Sequence, residues 1–192
     1  MPRFKAYFAI VVVALGCAQA PERPSKPVEE AKPPATLGAL PATYVSQPGC
    51  PGCLAATITL RPNSSFLLRD QLGASEFYDF GRWRYADGML ELVGDRDKRA
   101  FSLATLRRAA RVETLRGPFR MVGVYDGARF KECLTGVTWS FAQTRAADTL
   151  KREFEKQRRA LALVSLDAQF EGSPEILRVL RPATLHNTQA CP

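Results

Sequence analysis

Asp87-Gly88 separates two apolar runs that alternate at period two, with Trp83 and Tyr85 before it and Leu90 and Leu92 after it. A two-residue Asp-Gly link favours the positive φ angles of a tight hairpin, so Phe77 to Tyr85 and Met89 to Val93 read as paired antiparallel strands. The same pattern recurs upstream, where Thr57 to Leu60 and Phe66 to Leu68 flank the turn cluster Arg61-Pro62-Asn63-Ser64-Ser65. Ala100 to Thr105 and Val112 to Leu115 continue the spacing, and residues 38–117 therefore predict a meander of about six short strands. A sheet of that length protects its edges most simply by closing into a small barrel.

Beyond Gly117-Pro118 the texture changes. Phe119 to Tyr125 and Val137 to Ala142 read as strands, with Asp126-Gly127 as a turn between them. Ala146, Leu150, Phe154 and Leu161 then mark one face of a helix over residues 146–161. Asp148 with Arg152, and Glu155 with Arg159, are spaced for four-apart ion pairs on its solvated side. Leu161 to Phe170 and Glu175 to Leu185 return to strand. The expected class is all-β with one helix: a small antiparallel barrel over 38–117, then a small OB-like β unit over 118–192. The narrow apolar stripe of the helix suits packing on that unit better than lying on a membrane surface.

The N-terminus carries an address. Arg3 and Lys5 precede a short apolar run, Phe8 to Leu15, with the small Gly16 and then Cys17 at its end. The run is too short to span a bilayer comfortably, and it resembles a bacterial lipoprotein signal over residues 1–17. Acylation of Cys17 would give the stable anchoring that a single chain cannot. Ala18 after the anchor favours sorting to the outer membrane. Residues 18–37 hold prolines at 21, 24, 27, 33 and 34 among Lys and Glu, a composition that cannot build a core and reads as a tether.

The chain has formal charge +8, which falls to about +6 when Arg3 and Lys5 leave with the signal and no acid is lost. The basic residues are scattered among acids without aromatic interleaving, so a nucleic-acid partner is not expected. Nor is an enzyme. The sequence has no nucleophile elbow, no HExxH and no Gly-rich phosphate loop, and its one histidine, His186, reads as a strand-end residue.

Four cysteines remain beyond Cys17, an even number suited to an oxidising compartment. They divide into Cys50 with Cys53 and Cys133 with Cys191. A bridge across the long second interval would stabilise by roughly 4 kcal/mol in the chain-entropy model, and it reads as a disulfide staple for the C-terminus. Cys50-Pro51-Gly52-Cys53 can clamp a soft ion such as Cu(I), exchange between dithiol and disulfide, or lock its loop. It feeds a strand rather than a helix, which argues against a thioredoxin-type site, and no second CxxC completes a zinc site.

Tyr44, the Cys50-Pro51-Gly52-Cys53 motif, Ala56 to Leu60, Ser64-Ser65-Phe66, Phe80-Gly81 with Trp83, and Gly88-Met89-Leu90-Glu91-Leu92 together resemble the N-terminal domain of the NlpE-like lipoproteins linked to copper resistance. The resemblance covers residues 38–117, and Phe130-Lys131-Glu132-Cys133-Leu134-Thr135-Gly136 is similar to a segment in proteins that carry this domain. It implies a lipocalin-like barrel, an outer-membrane anchor facing the periplasm, and a role in copper tolerance or envelope stress signalling through contact with a signalling protein. Cys50 and Cys53, as a Cu(I) or redox pair, and Cys17 are the functional residues it carries over. The loop departs from the family in reading Gln47-Pro48-Gly49 before Cys50, with no acid beside the thiols. The alternative is an envelope lipoprotein with two structural disulfides whose barrel binds a lipid, glycan or protein.

Overall fold

A computed structural model of the chain describes residues 36–46, 54–172 and 175–192. The protein is all-β with one helix, and both of its sheets lie within one compact unit, Pro34–Pro192. The first sheet contains β1 (Ala42–Ser46), β2 (Ala55–Leu60), β3 (Ser65–Leu72), β4 (Ser75–Ala86), β5 (Met89–Gly94), β6 (Lys98–Ser102) and β7 (Leu106–Arg108). Its order is β6-β5-β4-β3-β2-β1-β7, so the two edge strands are consecutive in the chain and joined only by the short 3-10 turn Leu103–Thr105. That link curls the meander until its edges converge at one end, giving a nearly closed barrel. At the tip of β4 and β5, Asp87 and Gly88 have φ of 51° and 76°, the paired positive angles that a right-twisted hairpin requires.

Alternation sorts the side chains of this sheet. Ala42, Tyr44, Ile58, Leu60, Phe66, Leu68, Leu90 and Leu92 fill the interior, with Leu37, Leu40, Trp83 and Phe101 packed against them. Leu67 and Phe80 point the other way and enter a second core. Phe80 is on the face opposite the barrel interior because it stands across the ladder from Leu67 rather than Leu68.

The second sheet contains β8 (Phe119–Tyr125), β9 (Arg129–Glu132), β10 (Thr138–Ser140), β11 (Ala162–Glu171), β12 (Ile176–Val179) and β13 (Thr184–Leu185). Its order is β10-β9-β8-β11-β12, with β13 on the free edge of β11. A parallel bridge from Phe141 to Leu177, with the Ala142 N–H donating to the Leu177 carbonyl at 2.8 Å, brings the end strands together. Five strands thus close a ring with helix α1 (Arg145–Gln157) inserted between β10 and β11, the plan of an OB barrel.

This second barrel is plugged at both ends. Ala147, Leu150 and Phe154 of α1 are buried, and Phe154 meets Tyr125 edge-on at 5.1 Å. At the opposite end of β8, Phe80 of the first sheet contacts Phe119, Trp139 and Phe170 at 6.5, 5.6 and 5.6 Å between ring centroids. Arg61 adds a polar clamp beside it: its guanidinium grips Glu175 through two hydrogen bonds of 2.9 and 2.6 Å and lies 4.4 Å from the centroid of Phe170.

Three segments differ from the sequence-based expectation. The helix ends at Gln157 rather than 161, because Arg158 turns left-handed at φ 50° and its N–H bonds to the Glu155 carbonyl. Leu161 is consequently 41 % exposed. Its ion pair is Glu153 with Lys156 at 2.6 Å, while Arg152 donates to Thr149 and Arg159 to the Asn187 carbonyl. Val112 to Leu115 is extended but belongs to no ladder: the Glu113 N–H donates to Thr43 Oγ1 and its carbonyl accepts from Thr59 Oγ1. Residues 175–185 form two short strands, with Pro182, which has no N–H to offer a ladder, between them.

Since Phe80 fills the second barrel from the first sheet, Phe80→Ala is expected to lower stability by about 3–5 kcal/mol. Urea unfolding followed at the two tryptophans, Trp83 in the first sheet and Trp139 in the second, should show one shared transition at a lower midpoint.

Candidate functional site

The connection from β1 to β2 runs from Ser46 to Ala55 and carries Cys50 and Cys53, which lie outside the described residues, as does Cys17. Its flanks are fixed: Val45 faces Thr57 across the ladder, and the Ala56 N–H donates to Ser46 Oγ at 2.8 Å. The motif therefore bridges two adjacent, regular antiparallel strands at one end of the first barrel.

At that end the inner face becomes polar. Ala56 stands opposite Asp70, and Leu68 opposite Asp79, which places both acids on the face that Tyr44 and Ile58 occupy. Asp70 is 4 % exposed and binds Arg99 through Oδ2 at 2.6 Å. Its Oδ1 and the Tyr44 hydroxyl are buried with no hydrogen-bond partner among the described residues. Arg99 also holds Asp97, at 3.0 Å, and so ties the β5–β6 turn to the barrel interior.

Asp79, also 4 % exposed, accepts the Phe80 N–H at 2.9 Å. Burial pushes its carboxyl up to about 6, against the opposing pull of backbone hydrogen bonds from Phe80 and Arg96, and Asp95 and Asp97 add like charge nearby. Gly94 is required here, because a Cβ at that position would collide with the Asp79 carboxylate. Sequence reading missed Asp70, Asp79 and Arg99. Their signal was an acid or base at an inward position of a strand otherwise apolar on that side.

Cys133 and Cys191 are joined by a disulfide, with 58 residues of sequence separation and Cα atoms 5.5 Å apart. Cys133 is fixed by its surroundings: its N–H donates to the Val122 carbonyl, and the buried carboxylate of Glu132 accepts from the Leu134 and Thr135 N–H groups and the Thr135 hydroxyl. Cys191 arrives from the far side. The tail follows the free edge of β11, where the Leu163 N–H bonds to the Thr188 carbonyl and His186 Nε2 lies 2.7 Å from Ser165 Oγ. Thr188 stands three interstrand spacings, about 14 Å, from Cys133, a distance covered by the three residues to Cys191, about 10 Å, together with the bridge itself. The bridge thus draws the tail over the outer side of β11 and β8. Leu163, whose neighbours Ala162 and Val164 point into the core, is only 9 % exposed on that outer side.

Among the described residues no cluster of three or more His, Cys, Asp or Glu is arranged to hold a metal ion. Nor is any helix among them long and apolar enough to cross a membrane. No family model matches the sequence, and no curated protein does. Among solved structures the chain is similar to the crystal structure of the Cpx pathway activator NlpE from Escherichia coli. The identity is 17 % and the TM-score 0.36, over 77 % of this chain and 96 % of that one.

Asp79 has a sign that can be measured. Its folded pKa is raised, so its contribution to stability is fully present below about pH 3.8 and lost as pH rises through about 6. Asp79→Asn should remove that slope and leave the protein more stable than wild type at pH 7, by at most about 3 kcal/mol. Denaturant midpoints between pH 4 and 8 test it. The disulfide gives a second expectation: Cys133→Ser or Cys191→Ser should cost about 4 kcal/mol and open residues 184–192 to limited proteolysis.

Proposed function

We propose that this chain is a non-enzymatic lipoprotein of the bacterial envelope, anchored to the outer membrane through Cys17 and facing the periplasm. In this reading it takes part in copper tolerance or envelope stress sensing through Cys50 and Cys53. What supports the proposal is the position of the motif in the chain: Cys50 and Cys53 fall in the connection between β1 and β2, two paired strands whose facing ends are held by ladder bonds and by Ser46. Two thiols that close in sequence suit the binding of a soft ion or the closing of a disulfide.

Two further features support it. The Cys133–Cys191 bridge is the chemistry of an oxidising compartment. The interior of the first barrel is filled by its own side chains and that of the second is completed by Phe80 and Leu67 of the first sheet, so the molecule offers surfaces for signalling by contact with an envelope protein. The filled interior also weighs against the alternative in which the first barrel carries a lipid. Ile58, Leu60, Phe66, Leu68, Leu90 and Leu92 occupy that space.

An anaerobic Cu(I) competition titration on the reduced protein, beside Cys50→Ser and Cys53→Ser, separates the outcomes. One tightly held Cu(I), lost in either variant, is the expected result for a metal site. Binding absent from all three leaves disulfide-state sensing, and an unchanged copper and redox-stress phenotype in the double serine variant at normal expression would sink the proposal.

A further inference from the structure

The outer face of β4, β5 and β6 carries a group of cations that the packing of the barrel does not use. Arg82 faces Val93 in the β4–β5 ladder, and Val93 faces Lys98 in the β5–β6 ladder, so the three share one row across the sheet. Directly opposite residues in an antiparallel sheet project to the same side. Arg82 and Lys98 therefore stand on one surface about 10 Å apart, two interstrand spacings. Arg84 is on the same surface, about 7 Å along β4, and faces Glu91. All three cations are exposed.

These residues line a hollow of about 500 Å³ together with Trp83, Glu91 and Val93. Its charge is unbalanced. Glu91 is the one acid in the lining, and it is engaged by Arg84 Nε at 2.6 Å. The acids of the adjoining β5–β6 turn are engaged too, Asp95 with Arg120 at 3.5 Å and Asp97 with Arg99 at 3.0 Å. Arg82 and Lys98 are left with no ion-pair partner among the described residues, on opposite banks of the hollow. Each of their side chains reaches several ångströms from the sheet, so one tetrahedral anion between them can be met from both sides.

The surroundings favour phosphate over a carboxylate. The guanidinium forks of Arg82 and Arg84 on one strand, with the point charge of Lys98 opposite, suit an ion that offers several oxygens in different directions. On the same surface Met89 is 37 % exposed one row beyond Glu91, leaving an apolar shelf beside the cations.

We infer that the hollow between Arg82, Arg84 and Lys98 is a binding site for a phosphate group, supplied either by an anionic lipid head group or by a phosphate-bearing solute. This site is independent of the cysteine loop and does not rest on the copper reading.

The test is acetylation of lysines in the full chain, held in uncharged maltoside micelles and read by mass spectrometry. Lys98 reports on the site, and Lys151, exposed on helix α1, reports on general screening. The probes are phosphatidylglycerol doped into the micelles, phosphatidylcholine as its zwitterionic control, and tripolyphosphate in solution. The expected result is at least threefold slower acetylation of Lys98 but not of Lys151, with protection lost in Arg82→Glu. Protection by phosphatidylglycerol identifies a lipid head group as the source, and protection by tripolyphosphate alone identifies a solute. Equal protection of Lys98 and Lys151, no protection by either probe, or protection that survives Arg82→Glu would overturn the inference. Arg82 is exposed on an outer face, so its replacement leaves both cores intact; an unchanged denaturation midpoint confirms that the variant is folded.

Discussion

The contact on which the architecture depends is the insertion of Phe80 into the second barrel. Helix α1 closes that barrel at the Tyr125 end, but its own strands supply nothing to cover Phe119, Trp139 and Phe170 at the other. The first sheet does so with Phe80 and Leu67, residues on its reverse face. A five-stranded barrel of short strands has a small interior, and small cores bury a small fraction of their surface. Sharing the aromatic group therefore makes the fold of one sheet a condition for the packing of the other, and leaves no free hinge at Gly117-Pro118.

From that constraint follows the division of the first sheet into three environments. Its interior is apolar and filled. The reverse face of β1 to β3, and of β4 at Phe80, is committed to the second barrel and to residues 109–118, which Thr43 and Thr59 hold through their hydroxyls. Only the outer face of β4 to β6 and the end carrying the β1–β2 connection are left for contact with other molecules. Chemistry not needed for packing is found in those two places: the cations Arg82 and Lys98 on the first, and the buried Asp70–Arg99 pair at the second.

Local signals in the sequence were sufficient where the cause was local. Asp87-Gly88, the period-two runs through Trp83 and Leu92, and the whole of Phe119 to Tyr125 read correctly because turn chemistry and alternation act over a few residues. The difficulties were of another kind. Phe80 has the same period as its neighbours, and only the register against Leu67 shows that it faces away from the barrel. Residues 112–115 put only Leu115 into the core, with Val112, Glu113 and Thr114 exposed, and the backbone of Glu113 bonds to threonine hydroxyls fifty or more residues distant in sequence. The helix stops early at Arg158, where no glycine announces the left-handed turn.

The buried acids show how a site can be invisible to motif reading and still be dictated by the chain. Asp70 and Asp79 occupy inward positions of strands otherwise filled with Leu and Phe, and an isolated carboxylate there would be prohibitive. Asp70 is tolerable because Arg99 reaches it from β6; Asp79 is tolerable because Gly94, lacking a side chain, lets the turn close around its carboxylate, which the Arg96 N–H of that turn and the Phe80 N–H of β4 stabilise. Each solution draws on β5, β6 or the turn between them, so the strands that expose the cationic outer face are fastened to the barrel by acids on the inner one. The polar end and the basic surface are thus two sides of the same three strands, and a charge change on one side acts on elements that position the other.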